Sequence, residues 1–305
     1  MILTRETISR LEKAGYRFVG PSKHSAIKIC SWTREAIRGK NFCYKQKFYG
    51  IASHRCLQMT PALPFCTQRC QFCWRDTTIT YPKWVGPVDE PKQILDEAIE
   101  AQREILQGFK GNPNVDMKKF KEAMEPNQVA ISLAGEPTMY PKLPEFVDLV
   151  NSRGMTSFLV TNGTNPDMIE RLLDSQPYQL YITLAAPDEE TYKKTCQPII
   201  PDGWLKLMKS LSMLNQFNRS VIRLTLVKGL NMITPEKYAE HVEKAGPKFV
   251  EAKAYMAVGY SRERLGLPYM PQHSEIRAFA EKIEENSSYR IKDEKADSRV
   301  VLLMK

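Results

Sequence analysis

The chain has no long hydrophobic run. No apolar stretch approaches the roughly 20 residues that cross a bilayer, and residues 1–17 mix Arg, Glu and Lys with Leu and Ile rather than forming a secretory signal. There is no internal repeat and no low-complexity linker. These absences predict a cytoplasmic globular protein without a membrane partner. In that reducing compartment, the seven cysteines indicate metal binding rather than disulfides.

Acidic residues are scarce only near the N-terminus. Residues 1–60 hold 12 Lys and Arg against 3 acidic residues, whereas residues 61–305 hold 32 of each sign. The net charge of +9 therefore comes from the first fifth of the chain. Aromatic residues interleave with these cations and could stack on bases; they are Trp32, Phe42, Tyr44, Phe48 and Tyr49. Such a segment favours a nucleic-acid partner over a merely solvated basic surface.

Three cysteines form a tight motif. Cys66, Cys70 and Cys73 follow the spacing Cys-x3-Cys-x2-Cys, and Phe72 precedes the last of them. A loop can turn three such thiols toward one point. Three thiolates are one ligand short of a closed zinc site, but they suit a [4Fe–4S] cluster with one open iron. A zinc site that borrows a fourth ligand, or a set of buried thiols, is the alternative.

Three more cysteines, Cys30, Cys43 and Cys56, lie 13 residues apart within the basic segment. Their neighbours are basic and aromatic, which does not fit ordinary buried cysteines, and basic neighbours favour thiolates. A second cluster and three unrelated thiols both agree with this spacing. Cys196 has no partner in the sequence and is interpreted as structural.

From residue 57 onward, apolar strands alternate with amphipathic helices. Six strands are predicted at 57–63, 129–133, 156–160, 178–184, 220–227 and 249–256, with a last strand at 300–304. Helices are predicted at 4–14, 31–38, 90–107, 143–153, 166–173, 188–194, 204–215, 235–244 and 274–285. Residues 111–127 are interpreted as an insertion or mobile loop. The alternation indicates an α/β fold with a parallel sheet, in which functional groups collect at the carboxyl ends of the strands.

The motifs at those strand ends resemble the radical S-adenosylmethionine (SAM) superfamily. The superfamily shares the cysteine motif and a Gly-Gly-Glu-Pro turn, which residues 134–137 match with Ala134 in place of the first glycine. The resemblance implies a partial (β/α)6 TIM-like barrel and a [4Fe–4S] cluster whose open iron chelates SAM before SAM is cleaved to a radical. The implied metal ligands are Cys66, Cys70 and Cys73, and the expected SAM-contacting residues are Phe72, Gly135, Glu136, Pro137, Thr161, Asn162, Thr183 and Asn231.

The N-terminal cysteines narrow the resemblance to the tRNA 4-demethylwyosine synthases of the wyosine pathway. The shared features are the cysteines at 13-residue steps, the Met-Thr-Pro run at 59–61, the cysteine motif through Arg75, and residues 133–137. This resemblance covers nearly the whole chain and implies a second [4Fe–4S] cluster on Cys30, Cys43 and Cys56. It predicts a basic tRNA-binding extension at 1–56 and a radical SAM barrel at 57–305.

The family's reaction joins an N1-methylguanosine beside the anticodon of tRNA-Phe to two carbons of pyruvate and closes a third ring. An N-methyl group has no acidic proton, so abstraction of hydrogen by a radical fits this substrate. Pyruvate could be chelated by the second cluster or held by a lysine as a Schiff base. Lys45, two residues after Cys43, is the predicted catalytic lysine; a phosphate contact, as expected for Lys47, is its alternative role.

Two other functions agree with parts of the sequence. One is a radical SAM enzyme with another substrate, such as a methylthiotransferase or a peptide maturase. The other is a zinc-stabilised RNA-binding protein without catalysis. For the wyosine reaction, eukaryotic relatives carry a flavodoxin-like domain that this chain is not expected to accommodate. An external one-electron donor of flavodoxin or ferredoxin type is therefore expected, and the protein is expected to be a monomer.

Overall fold

A computed structural model describes residues 2–305, which divide into two compact units. The first unit contains residues 2–65, 83–160 and 174–178, and the second contains residues 66–82, 161–173 and 179–305. Among the helices of residues 2–305, none combines the length and the hydrophobicity of a membrane span.

The first unit holds the basic segment and the first half of the predicted βα pattern. Its helices are α1 (Arg5–Lys13), α2 (Ser31–Ile37), α3 (Tyr44–Tyr49), α4 (Pro91–Gln107), α5 (Met117–Ala123) and α6 (Leu143–Ser152). Its strands are β1 (Arg17–Val19), β2 (Ser25–Ile27), β3 (Cys56–Thr60), β4 (Gln128–Ile131) and β5 (Thr156–Thr161), and they lie side by side in that order. The neighbours from β1 to β3 are antiparallel, and those from β3 to β5 are parallel.

Local sequence explains the helices that were predicted in this unit. The side chain of Thr4 accepts a hydrogen bond from the backbone N–H of Thr7 and so caps α1. In α4, a proline stands at the first turn, where no intrahelical N–H bond is lost. The apolar residues of α4, among them Ile94 and Ala98, are fully buried on one face.

The interpretation of residues 111–127 as a loop is wrong for its second half. Asp116 accepts hydrogen bonds from two backbone N–H groups and begins helix α5. Phe120 and Ala123 of α5 are buried in an apolar cluster with Ile37 and Leu106. Packing against α2 and α4 therefore stabilises a Lys-rich helix whose own periodicity is too short to reveal it.

The second unit continues the alternation. Its helices are α7 (Pro166–Arg171), α8 (Glu189–Cys196), α9 (Gly203–Leu211), α10 (Pro235–Ala245), α11 (Ser261–Arg264) and α12 (His273–Glu285). Its strands are β6 (Gln179–Thr183), β7 (Ser220–Leu226), β8 (Phe249–Ala254), β9 (Arg290–Lys295) and β10 (Val300–Met304), in the spatial order β6-β7-β8-β10-β9. Strands β6 to β8 are parallel, and β10 is antiparallel to both of its neighbours. The prediction of an α/β fold built on parallel strands is confirmed.

One face of the second unit's sheet is polar although it is buried. Arg223 of β7 lies opposite Glu251 of β8, and its Nε donates to Oε2 of Glu251 over 3.1 Å. The guanidinium of Arg223 also lies 4.5 Å from the ring centre of Tyr181. Glu251 is fully buried, so this charge depends on its arginine partner.

Candidate functional site

The loop of Cys66, Cys70 and Cys73, hereafter the cluster loop (66–75), is held by the chain that follows α8. The backbone N–H groups of Arg69 and Gln71 donate to the carbonyls of Gln197 and Thr195, over 3.1 and 3.0 Å. The N–H of Ile199 donates to the carbonyl of Thr67 over 2.9 Å. These bonds use main-chain groups on both sides, so they fix the loop's path independently of its side chains.

A second segment, which contains α11, holds the other end of the cluster loop. The N–H of Tyr260 donates to the carbonyl of Trp74 over 3.1 Å. Arg264 donates to the backbone carbonyls of Gln71 and Cys73. Gly259 has φ +56, and a Cβ there would lie 2.3 Å from the Trp74 carbonyl oxygen. Only glycine therefore permits this approach without a shift of the backbone.

Two of the cluster-loop thiols have a raised pKa. Hydrogen bonding with Cys196, followed by burial, raises the pKa of the Cys70 thiol, and burial raises the pKa of Cys73. Iron must displace these protons to bind. Cys196, which was interpreted as structural, is buried and lies beside Cys70.

Arg75 connects the three thiols. The guanidinium of Arg75 is buried; burial alone would lower its pKa, but the neighbouring thiols of Cys66, Cys73 and Cys70, when ionised, raise it overall. All three sulfur atoms thus influence the pKa of one cation, as expected if the loop turns them toward a common region. Arg75 belongs to the sequence motif, but the sequence did not indicate this position for its side chain.

The polar residues at the end of β5 also approach the cluster loop. The side-chain amide of Asn162 donates to Oγ1 of Thr67 over 2.9 Å and lies 3.8 Å from Sγ of Cys66. Its carbonyl oxygen accepts from the N–H and the hydroxyl of Thr164, and Thr161 Oγ1 accepts from the N–H of Gly163. Asn162 therefore acts here as a support for the loop, and a contact with SAM stays a prediction for it and for Thr161.

Asn231, Thr183 and Phe72 occupy different environments. Asn231 is fully buried; its amide donates to the carbonyls of Ala185 and Thr225, and its oxygen accepts from the N–H of Val227. This pattern supports a structural role for Asn231 rather than the predicted ribose contact. Thr183 ends β6 and is partly exposed. Phe72 packs on an apolar cluster that includes Val227.

In the first unit, the turn that follows β4 packs very closely against the backbone of Ala62 and Phe65. Gly135 has φ +70, and a Cβ there would lie 1.9 Å from the carbonyl oxygen of Ala62. The N–H of Glu136 donates to the carbonyl of Phe65, and its buried carboxylate accepts from Thr138. Pro137, also buried, follows at the start of a short 3-10 turn. The turn therefore holds a carboxylate in a fixed position, which fits the binding of an ammonium group.

We expect Gly135→Ala to destabilise the protein and to weaken SAM binding. The left-handed φ alone costs about 1–2 kcal/mol for an L-residue, and the clash with Ala62 adds about 1–3 kcal/mol. Gly154→Ala is the matched control, because Gly154 has φ +68 and no atom within 4 Å of a Cβ. Thermal unfolding and SAM titration of both variants check this expectation, and equal losses in the two would contradict it.

The second set of cysteines comes together within the first unit. Cys30 and Cys43 directly precede α2 and α3, and Cys56 begins β3. Burial raises the pKa of the Cys56 thiol to about 12, with further influence from Cys30, Lys45 and Cys43. The three cysteines, which are 13 residues apart in sequence, therefore lie near one another and near Lys45.

Lys45 is buried beside these thiols. Its Nζ lies 4.8 Å from the ring centre of Phe158. Only one other lysine of residues 2–305 is buried, Lys295, and its Nζ lies 3.1 Å from a carboxylate oxygen of Asp297. Burial is typical of lysines that form Schiff bases, because desolvation favours the neutral amine that attacks a carbonyl group.

Two sets of three thiols fit the chemistry of two iron–sulfur clusters, since thiolate is the usual ligand. Within residues 2–305, no three His, Cys, Asp or Glu side chains already have the geometry of an assembled metal site. The ligand assignments therefore rest on the donor type and on the convergence of each set.

Comparison with known proteins covers the whole chain. The family model "Radical SAM superfamily" matches residues 60–242, and "Wyosine base formation" matches residues 244–305. The chain is 50% identical to the S-adenosyl-L-methionine-dependent tRNA 4-demethylwyosine synthase of Pyrococcus abyssi, over 99% of this chain and 90% of the relative. It is 40% identical to the enzyme of the same name from Methanocaldococcus jannaschii, over 99% and 96%. A solved structure of TYW1 with a lysine–pyruvate adduct bound superimposes with a TM-score of 0.90 at 40% identity, over 100% of this chain and 97% of that one.

Proposed function

The chain belongs to the family of S-adenosyl-L-methionine-dependent tRNA 4-demethylwyosine synthases, a radical SAM family. On this basis, we propose which substrates the protein uses and how its residues carry out the synthesis of 4-demethylwyosine. Membership makes the protein a tRNA-modifying enzyme that uses SAM and a [4Fe–4S] cluster. We propose that its substrates are an N1-methylguanosine beside the anticodon of tRNA-Phe and pyruvate. The product is then the tricyclic 4-demethylwyosine.

The cluster loop is the proposed site of SAM cleavage. Cys66, Cys70 and Cys73 would hold the cluster, and the bound cluster with SAM would supply the radical that abstracts hydrogen from the N-methyl group. Glu136 and the backbone at Gly135 would receive the methionine ammonium of SAM. Both are held rigidly by hydrogen bonding and close packing against residues 62–65.

The proposed pyruvate site is Lys45 with its three neighbouring cysteines. Two observations support this assignment. A structure that this chain matches over its full length contains a lysine–pyruvate adduct, and Lys45 is a buried lysine beside a second set of three thiols. The amine of Lys45 would attack the keto carbon of pyruvate and lose water to form a Schiff base. A second cluster on Cys30, Cys43 and Cys56 would bind the carboxylate of pyruvate and orient it.

The basic segment at 1–56 is the proposed tRNA-binding part, with the barrel at 57–305. Next to α3, a cavity of about 580 Å³ is lined by Lys40, Phe42 and Lys119, among others, and the ring of Phe42 is exposed. Aromatic and cationic groups in one cavity suit a base and its phosphate. We further propose that the enzyme works as a cytoplasmic monomer with its tRNA substrate and receives electrons from an external flavodoxin or ferredoxin.

An anaerobic reaction tests this function. The iron–sulfur-reconstituted protein would be given dithionite, SAM, pyruvate and tRNA-Phe that contains N1-methylguanosine, and the nucleosides would be analysed by mass spectrometry. A pyruvate-dependent nucleoside with two added carbons is the expected result. SAM cleavage without that nucleoside would reject the proposed substrates, whereas bound zinc without SAM cleavage would contradict the metal assignment.

Cys43→Ala is expected to separate the two proposed clusters. The variant should keep the cluster loop and its SAM cleavage, because Cys43 lies in the other set of thiols, but it should form no tricyclic nucleoside. Iron per chain should fall to about half of the wild-type value, since clusters of this type are normally held by at least three protein thiolates. Iron analysis and nucleoside mass spectrometry check both parts. Normal product from this variant would refute the role of the second cluster.

A further inference from the structure

Arg75 is a buried cation whose hydrogen-bond acceptors are neutral. Its guanidinium donates to the carbonyls of Asp76, Ile79 and Gln68 over 3.2, 3.0 and 3.2 Å, and to Oγ1 of Thr80 over 2.9 Å. The side chain is 6% exposed. Within residues 2–305, no carboxylate forms an ion pair with it. A buried charge without a counter-charge is costly, so the binding of a negative group beside Arg75 would be favourable.

The guanidinium of Arg75 lies within the cluster loop, because it donates to the carbonyl of Gln68, which stands between Cys66 and Cys70, over 3.2 Å. In agreement with this position, the thiols of Cys66, Cys73 and Cys70, when ionised, raise the pKa of Arg75. Free thiols are neutral and do not balance the positive charge of Arg75. As cluster ligands they become thiolates, and three thiolates leave the bound cluster with a net negative charge. One-electron reduction adds a further negative charge beside the same guanidinium.

We propose that Arg75 is the counter-ion of the cluster held by Cys66, Cys70 and Cys73, and that it raises the reduction potential of this cluster. The inference rests on the proposed function only in that a cluster binds these thiols. A fixed positive charge in a poorly solvated position stabilises the more negative, reduced form more than the oxidised form. Arg75 is a positioning and electrostatic residue in this proposal, because it acts through the cluster and touches no substrate.

An anaerobic redox titration tests the proposal. To isolate one cluster, Cys30, Cys43 and Cys56 are replaced by alanine in the full chain, and the reduced cluster is followed by electron paramagnetic resonance. Arg75→Gln is expected to decrease the equilibrium constant for reduction at least tenfold, which is about 59 mV toward negative potential for one electron. Arg75→Lys keeps the charge and should restore most of this shift.

Arg69→Gln is the matched control. It removes the same charge from the same loop, but Arg69 is exposed, so water and salt screen it. Its potential should stay close to that of the parent chain. A cluster-loaded Arg75→Gln variant with an unchanged potential, or equal shifts in the Arg69 and Arg75 variants, would overturn the role of Arg75. A parent chain that binds no cluster at these thiols would instead refute the cluster assignment itself.

If Arg75→Gln retains no iron, its reduction potential cannot be measured. The melting temperatures of the metal-free chains then test the proposal instead. Metal-free Arg75→Gln that is as stable as the metal-free parent supports the counter-ion role, because its defect appears only with the cluster. A metal-free Arg75→Gln chain that melts well below metal-free Arg75→Lys overturns it. That result would mean that Arg75 stabilises the fold itself, through its hydrogen bonds to backbone carbonyls, and that the neutral glutamine cannot replace these bonds.

Discussion

Cys70→Ala is expected to abolish reductive cleavage of SAM while the protein stays folded. The path of the cluster loop is fixed by main-chain bonds from Arg69 and Gln71 to residues 197 and 195, and none of these bonds needs the thiol of Cys70. Two thiolates would remain, which is too few to hold a [4Fe–4S] cluster with a single open iron. Formation of 5′-deoxyadenosine should therefore fall to the level of a protein-free blank, as measured by chromatography after dithionite reduction.

Cys196→Ala is the control for this prediction. Cys196 is a buried cysteine in contact with Cys70, so its replacement removes a neighbouring thiol without removing a predicted ligand. This variant should retain the cluster and SAM cleavage. Residual cleavage in Cys70→Ala that disappears when Cys196 is also replaced would show that Cys196 can act as a ligand, and the assignment of Cys70 as the required third ligand would then be wrong.

Periodicity predicted most of the helices because their apolar faces are long enough to show it. Helix α4 repeats its buried residues over 17 positions, whereas α3 and α5 have six and seven residues and too few turns for a visible pattern. Strand β9 reads Arg-Ile-Lys-Asp-Glu-Lys, with no apolar alternation. Its pairing with β10 makes it a strand, and such pairing is not encoded in its own residues.

The candidate site was predictable where its residues are neighbours in sequence. The spacing of Cys66, Cys70 and Cys73 indicates one loop, and the comparison with relatives agrees with the family that this motif suggested. The supports from Arg264 and Cys196 lie more than 100 residues away along the chain, so only the tertiary structure brings them to the loop. The position of Asn231 after a strand suggested a contact with a ligand. Its burial and its internal hydrogen bonds depend on tertiary packing, which the sequence does not reveal.

Lys45→Met is expected to stop formation of the tricyclic nucleoside without stopping SAM cleavage. Methionine keeps an unbranched apolar stem next to Phe158 but has no amine to attack pyruvate. Borohydride reduction in the presence of pyruvate should add one reduced pyruvate unit to the wild-type chain, as seen by intact-mass spectrometry, and none to the variant. Proteolysis should place the adduct on the peptide that contains Lys45.

Lys47→Met provides the comparison, since it removes a lysine two residues away that is exposed. It should still form the pyruvate adduct, and any loss should be confined to tRNA binding, with a weaker dependence on salt. This contrast separates covalent chemistry from phosphate contact, the alternative role of Lys45. Undiminished product from Lys45→Met would mean that pyruvate reacts without a covalent link to this lysine. Its orientation would then depend on the thiols of Cys30, Cys43 and Cys56 and on the metal that they bind.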